Sequence, residues 1–179
     1  MKKVLFVASE GVPFIKTGGL ADVVGSLPKC YNKEEYDVRV ILPKYMCMKE
    51  EWKNKMNYVT HFYMDLAWRS QYVGVLEMQY DGVQFYFIDN EYYFAGPKPY
   101  GNIYQDIEKF AFFSKAALSA LPVIGFKPDI VHCHDWQTGL VPVLLKDKFH
   151  EGEFFRDMKS IITIHNLKFQ GVWDVKTVR

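Results

Sequence analysis

The run Lys16-Thr17-Gly18-Gly19-Leu20-Ala21-Asp22-Val23-Val24 brings a cation, two adjacent glycines and a carboxylate together. Neither glycine carries a Cβ, so backbone there can approach a ligand closely. A helical pattern beyond them would offer unpaired N–H groups and a positive dipole end to an anion. Lys16 adds a mobile cation just upstream. Phosphate binding is the chemistry these residues suit. A tight strand–helix connection with a surface lysine explains the same residues on structural grounds. The glycine spacing is neither that of a P-loop nor that of a dinucleotide fingerprint.

Two later stretches carry further candidates. In His132-Cys133-His134-Asp135 the two histidines share one face of a strand and could ligate zinc. His165 could add a ligand, but no cysteine partner or dense histidine cluster completes a set, so no metal is expected. His132 then reads as a satisfied core or rim histidine, and His134 as the more open of the two. Asp135 opens a helical pattern, where a side-chain N-cap and an acceptor for sugar hydroxyls are compatible roles. Trp136, Trp173 and Trp68 offer flat surfaces for sugar stacking, or else belong to the core or an interface.

The elements that position these groups read as follows. Residues 2–8 form a buried strand, continuously apolar from Val4 to Ala8. Residues 9–17 are a loop. Leu20, Val23, Val24 and Leu27 recur at helical spacing between about Gly19 and Tyr31, and Pro28 should kink or close that helix. Asp37 to Leu42 is the second core strand, completing a β-α-β unit. Residues 44–56 give no assignment. Residues 58–88 read as antiparallel or mixed strands with a two-residue turn at Asp81-Gly82. They either extend the core sheet or form a flap. Residues 89–103 are an aromatic loop. Tyr104 to Leu121 is a helix with Asn102 as its cap. Pro122, Gly125 and Pro128 break the chain. Asp129 to Cys133 is the third core strand, Trp136 to Phe149 a helix, 151–158 a polar link, and Ser160 to Ile164 a fourth, buried strand. The expected fold is α/β, a Rossmann-like doubly wound, mostly parallel sheet with a β-hairpin insertion. In such sheets the ligand crevice lies beyond the carboxyl ends of the strands. The Lys16–Asp22 turn, His134-Asp135 and His165 all fall at such ends.

Composition narrows the function classes. With 179 residues, 49% apolar and 24% charged, the chain suits one domain with a sizeable core. The formal charge of +1 argues against a nucleic-acid partner bound mainly by charge. Aromatic residues, at 17%, are abundant enough to serve both a core and a sugar-binding surface. Cys30, Cys47 and Cys133 fit free thiols in a reducing compartment. No stretch reads as a signal peptide or a membrane span, so a cytoplasmic protein without a membrane partner is expected.

Ser9-Glu10, Pro13-Phe14, the Lys16–Val23 run and Leu27-Pro28 together resemble the N-terminus of bacterial glycogen synthases and plant starch synthases. His132-Cys133-His134-Asp135-Trp136-Gln137-Thr138-Gly139-Leu140 and Thr163-Ile164-His165-Asn166-Leu167 with Gln170-Gly171 match in the right order. The resemblance implies a two-domain GT-B glycosyltransferase whose Rossmann-like halves face a cleft. It implies retaining transfer of glucose from ADP-glucose to an α-1,4-glucan, without a cofactor. It places Asp135 in the catalytic cleft and His165 against the transferred glucose. Lys16 and the Gly18-Gly19 backbone would lie at the donor phosphates, with Asp22 a further sugar-side contact. It assigns the nucleotide base, a second phosphate-binding set and an essential glutamate to a C-terminal domain of the same polypeptide. Residues 1–179 are therefore expected to be the N-terminal, acceptor-side domain, truncated before that partner and inactive alone. Two departures stand out: Ala95-Gly96 follow Tyr93-Phe94 where relatives carry an arginine, and Gln137 stands where histidine is common. Another sugar-nucleotide transferase of the same shape, or a non-catalytic carbohydrate-binding domain, remains an alternative.

Overall fold

The structure, a computed structural model, describes residues 1–172 and 174. Seven strands form one sheet: β1 (Lys2–Val7), β2 (Tyr36–Pro43), β3 (Asn57–Leu66), β4 (Arg69–Tyr80), β5 (Val83–Asp89), β6 (Ile130–His134) and β7 (Lys159–Thr163). Their spatial order is β3-β4-β5-β2-β1-β6-β7. The block from β5 to β7 is wholly parallel, and β4 and β3 extend it antiparallel. The helices are α1 (Gly19–Ser26), α2 (Glu50–Lys53), α3 (Glu91–Phe94), α4 (Ile103–Val123) and α5 (Leu140–Leu144).

β1 is the middle strand of the parallel block, and its residues Val4 to Val7 are buried. A strand covered on both faces has no polar side to show, which is why its sequence does not alternate. α1 ends at Ser26 and a 3-10 turn over Leu27–Cys30 carries Pro28, so the proline closes the helix. Gly25 is needed for packing: a Cβ there would come within 2.5 Å of the Val12 carbonyl oxygen. The loop over residues 9–17 is anchored by Phe14, buried edge-on against Phe85 and Phe87 at 4.8 and 5.0 Å.

Several expectations are corrected. Of the two readings of the 58–88 region, the extension of the core sheet holds and the flap does not, since β3 and β4 continue the sheet antiparallel. Its last strand, β5, is itself a parallel core strand paired with β2. The turn before β5 has positive φ at Asp81 (51°) and Gly82 (74°), as a two-residue hairpin requires. The aromatic loop contains α3, capped by Asn90, whose side-chain oxygen accepts the Tyr93 N–H at 3.1 Å. α4 runs on through Pro122 to Val123. The Asn102 side-chain oxygen accepts the Tyr104 N–H at 2.9 Å, so it is a cap as expected.

The Trp136–Phe149 segment is not one regular helix. It is a 3-10 turn over Trp136–Thr138, then α5, then a wider π-type turn over Leu145–Phe149. Pro142 is tolerated because it lies in the first turn of α5, where an N–H would have no intrahelical acceptor. The 151–158 link buries Phe155 and Met158. Among the described residues β7 lies at the edge of the sheet: Ile161 and Ile162 are 50% and 46% exposed, and Ile164 beyond it is 55% exposed. Its alternation is hidden because the run is apolar throughout, which a buried central strand would also show.

Candidate functional site

The strand order reverses at β1, with β2 on one side and β6 on the other. A cleft of about 850 Å³ opens there, beyond the carboxyl ends of β1, β6 and β7. Gly18 and Gly19 line it, as do Asp135, Trp136, Gln137 and His165. Groups from three distant stretches therefore meet at the switch point, where open α/β sheets bind ligands.

The glycine turn has no internal reason to lack side chains. A Cβ at Gly18 or Gly19 would meet nothing within 4 Å. Gly18 is extended, with φ −152°, so its backbone does not demand glycine either. No side chain caps α1. Lys16 and Asp22 do not line the cleft. They pair with each other at 2.8 Å, each side chain 53% exposed. A different cation, Lys168, lines the cleft. It sits in a turn made by Asn166, whose side-chain oxygen accepts the Lys168 N–H at 2.8 Å.

Asp135 is held in an uncommon conformation. Its φ of 59° lies in the left-handed region, rarely adopted outside glycine. Its own N–H donates to the Thr163 carbonyl at 2.9 Å, and its Oδ1 accepts the His165 N–H at 2.7 Å. Its side chain makes no cap to the following turn, so the N-cap reading is replaced. The carboxylate ties the end of β6 to the loop after β7. Residues in such sparsely populated conformations collect at functional sites, where surrounding contacts hold them.

The histidines form a stack. The His132 and His134 ring centroids lie 4.2 Å apart, and those of His134 and His165 5.2 Å apart. His132 is satisfied by Thr163 Oγ1 at 2.7 Å. His134 is fully buried, not open, because Phe6 and His132 cover its ring. Its Nδ1 meets His165 Nε2 at 2.9 Å, while its Nε2 has no partner. Among the described residues no group of three or more His, Cys, Asp or Glu could hold a metal ion.

Burial, with the neighbouring imidazoles adding to it, pushes the His134 pKa down to about 3. An unfolded chain would take up that proton near pH 6.5. Stability is therefore fully present above about pH 6.5 and is lost as pH falls toward 3, by up to ~1.4 kcal/mol per pH unit. Thermal unfolding between pH 7 and 5 should show a falling Tm, and His134→Gln should flatten the slope. His132, also pushed down by burial, adds in the same direction. Equal slopes in the two proteins would show that His134 takes up its proton in the folded state.

Glu10, Thr17 and Tyr100 line the cleft and were not singled out from sequence as site residues. Glu10 directly follows buried Ser9 and is 3% exposed. A carboxylate just past an apolar central strand and before a double glycine was the available signal. Trp68 lies in the β3–β4 turn, 87% exposed and outside the cleft lining. Trp173 lies outside the described residues.

The family model for the starch synthase catalytic domain matches residues 3–179. A glycogen synthase of Lachnoclostridium phytofermentans is 72% identical over 179 residues, covering 100% of this chain and 37% of that protein. A glycogen synthase of Geobacillus stearothermophilus is 53% identical over 171 residues, covering 96% of this chain and 35% of that protein. Among solved structures, the catalytic domain of starch synthase IV from Arabidopsis thaliana, bound to ADP and acarbose, superposes with a TM-score of 0.82 at 30% identity. That match covers 99% of this chain and 36% of the other. The chain thus spans little more than a third of the length of these relatives.

Proposed function

The chain belongs to the starch synthase catalytic domain family, and from that premise we propose that it is the N-terminal, acceptor-side domain of a glycogen synthase. The reaction is retaining transfer of glucose from ADP-glucose to the non-reducing end of an α-1,4-glucan. One observation carries the reading: the open Gly18-Gly19 turn, Asp135 and His165 line a single cleft at the switch point of the sheet. The starch synthase that this fold matches was solved with ADP and acarbose bound, which suits a nucleotide donor and a glucan-like acceptor.

Transfer breaks the bond between sugar C1 and the diphosphate. Negative charge grows on the leaving oxygen and positive charge on the sugar ring. The opening N–H groups of α1, at Gly19 and Leu20, meet the first without reorganisation. Lys16 joins them by leaving Asp22, an exposed pair of a kind worth only about 0–1 kcal/mol. Asp135 supplies negative charge on the sugar side, and His165 contacts the transferred glucose. The opposite wall of the cleft, with the nucleotide base site and an essential glutamate, comes from a C-terminal domain of the same polypeptide.

The test is glucan extension by the full-length protein, with ADP-glucose and a maltooligosaccharide, followed by ADP release and product length. UDP-glucose in a parallel arm reads donor choice. No transfer from either donor overturns the proposal. Lys16→Ala should lower kcat and kcat/KM together by at least about tenfold, roughly 1.4 kcal/mol, because its contact develops with the leaving charge. Unchanged kinetics would leave Lys16–Asp22 as a surface ion pair.

A further inference from the structure

Glu10 is a carboxylate buried at the base of the cleft, and its charge is met by hydrogen-bond donors from two separate segments. From the glycine turn it accepts the Thr17 N–H, the Thr17 hydroxyl at 2.9 Å and the Gly18 N–H at 3.4 Å. From the segment between α3 and α4 it accepts the Tyr100 hydroxyl at 2.9 Å. Burial and the Glu10 charge push the Tyr100 pKa up, which keeps the phenol a donor. Ser9 Oγ completes the group, 2.7 Å from the same Tyr100 oxygen. Hydrogen bonds to a charged acceptor are roughly twice as strong as neutral ones, so this carboxylate ties the turn firmly to Tyr100.

We propose that Glu10 is a positioning residue for glucosyl transfer: it fixes the Thr17-Gly18 backbone and the Tyr100 ring in one arrangement, and thereby aims the opening of α1 at the donor phosphates. The inference rests on the transferase reading above. It also divides the labour within the turn. The Thr17 and Gly18 amides face Glu10, so the anion is met by the Gly19 and Leu20 amides, which have no intrahelical acceptor. Tyr100 carries the coupling outward. It lines the catalytic cleft on one side and a smaller cavity on the other, shared with Tyr92, Tyr93 and Glu108. A donor that settles on the glycine turn is thus held in register with the aromatic segment through a single side chain.

Glu10→Gln keeps the size and removes the charge. One oxygen then faces four donors, and the new amide group, itself a donor, must point at some of them. Two measurements test the proposal. In the 179-residue chain, NMR-detected hydrogen exchange should quicken about tenfold at Thr17 and Gly18, while the β1 amides of Leu5, Phe6 and Val7 keep their protection. In the full-length protein, kcat/KM for ADP-glucose, referred to the folded fraction, should fall by about tenfold or more, with KM for the glucan unchanged and Tm lower by several degrees. Quicker exchange with unaltered donor kinetics would make Glu10 a structural residue only. Unaltered exchange would remove the geometric premise. A wild-type protein that transfers no glucose would remove the transferase reading, and this inference with it.

Discussion

His165→Ala in the full-length protein is expected to lower kcat roughly a hundredfold, about 2.7 kcal/mol. The residue lies in the loop after β7, lines the cleft, and has its backbone N–H fixed by Asp135 at 2.7 Å. A side chain held so firmly can strengthen its contact with a sugar hydroxyl as the ring flattens toward the transition state. Sequence alone suggests that the melting temperature would barely move. The structure changes that expectation. His165 Nε2 is the partner of His134 Nδ1, and the other nitrogen of His134 is already buried without one. Removing the ring leaves a second unmet nitrogen, a loss of about 1–3 kcal/mol. The Tm should therefore drop by several degrees, and kcat must be referred to the folded fraction. A variant that melts lower while its folded fraction keeps near-normal kcat would assign His165 to structure alone.

Asp135 has two separable tasks, and a pair of variants separates them. Asp135→Asn retains an oxygen for the His165 N–H but loses the charge. It should lower kcat by about a hundredfold, since a neutral amide meets the developing positive charge poorly, while the Tm stays close to wild type. Asp135→Ala loses the anchor as well and leaves alanine at φ 59° and ψ −178°, a conformation about 1–3 kcal/mol unfavourable without a contact to hold it. It should show the same kinetic loss together with a clear fall in Tm. Steady-state glucan extension and thermal unfolding on both proteins decide the matter. Near-normal kcat in Asp135→Asn would reduce Asp135 to the tie between β6 and the β7 loop.

The parallel core was legible because β1, β2 and β6 are apolar runs broken by Gly, Pro and polar turns. The place of the cleft was legible because crevice and strand ends go together in this architecture, though Lys16 and Asp22 do not line it. What stayed hidden has physical reasons. β5 reads as the return strand of a hairpin, and nothing local shows that its other edge pairs with β2, about forty residues earlier. β7 reads as buried because Ile161, Ile162 and Ile164 are apolar, although among the described residues no strand pairs with its other edge. The side chain of Asp135 looks like a cap by its place before a helical pattern, but its acceptor bond runs to a residue 30 positions later. Glu10 announces no partner, because its donors come from a turn and from Tyr100, 90 positions away. Local pattern finds elements; tertiary hydrogen bonds decide what their side chains do.

The placement of β1 also sets a timetable. The first strand of the chain is the middle of the parallel block, and one of its two partners, β6, is far downstream. The Lys3 N–H donates to the Asp129 carboxylate across a separation of 126 residues, at 2.7 Å. A ribosome adding roughly 5–20 residues per second needs on the order of 6–25 s to cover that distance. Throughout that interval β1 can close only against β2, and one edge of the strand that leads to Glu10 and the glycine turn stays open. The cleft is therefore a late product of synthesis, assembled only when β6 slides in beside a strand made many seconds before.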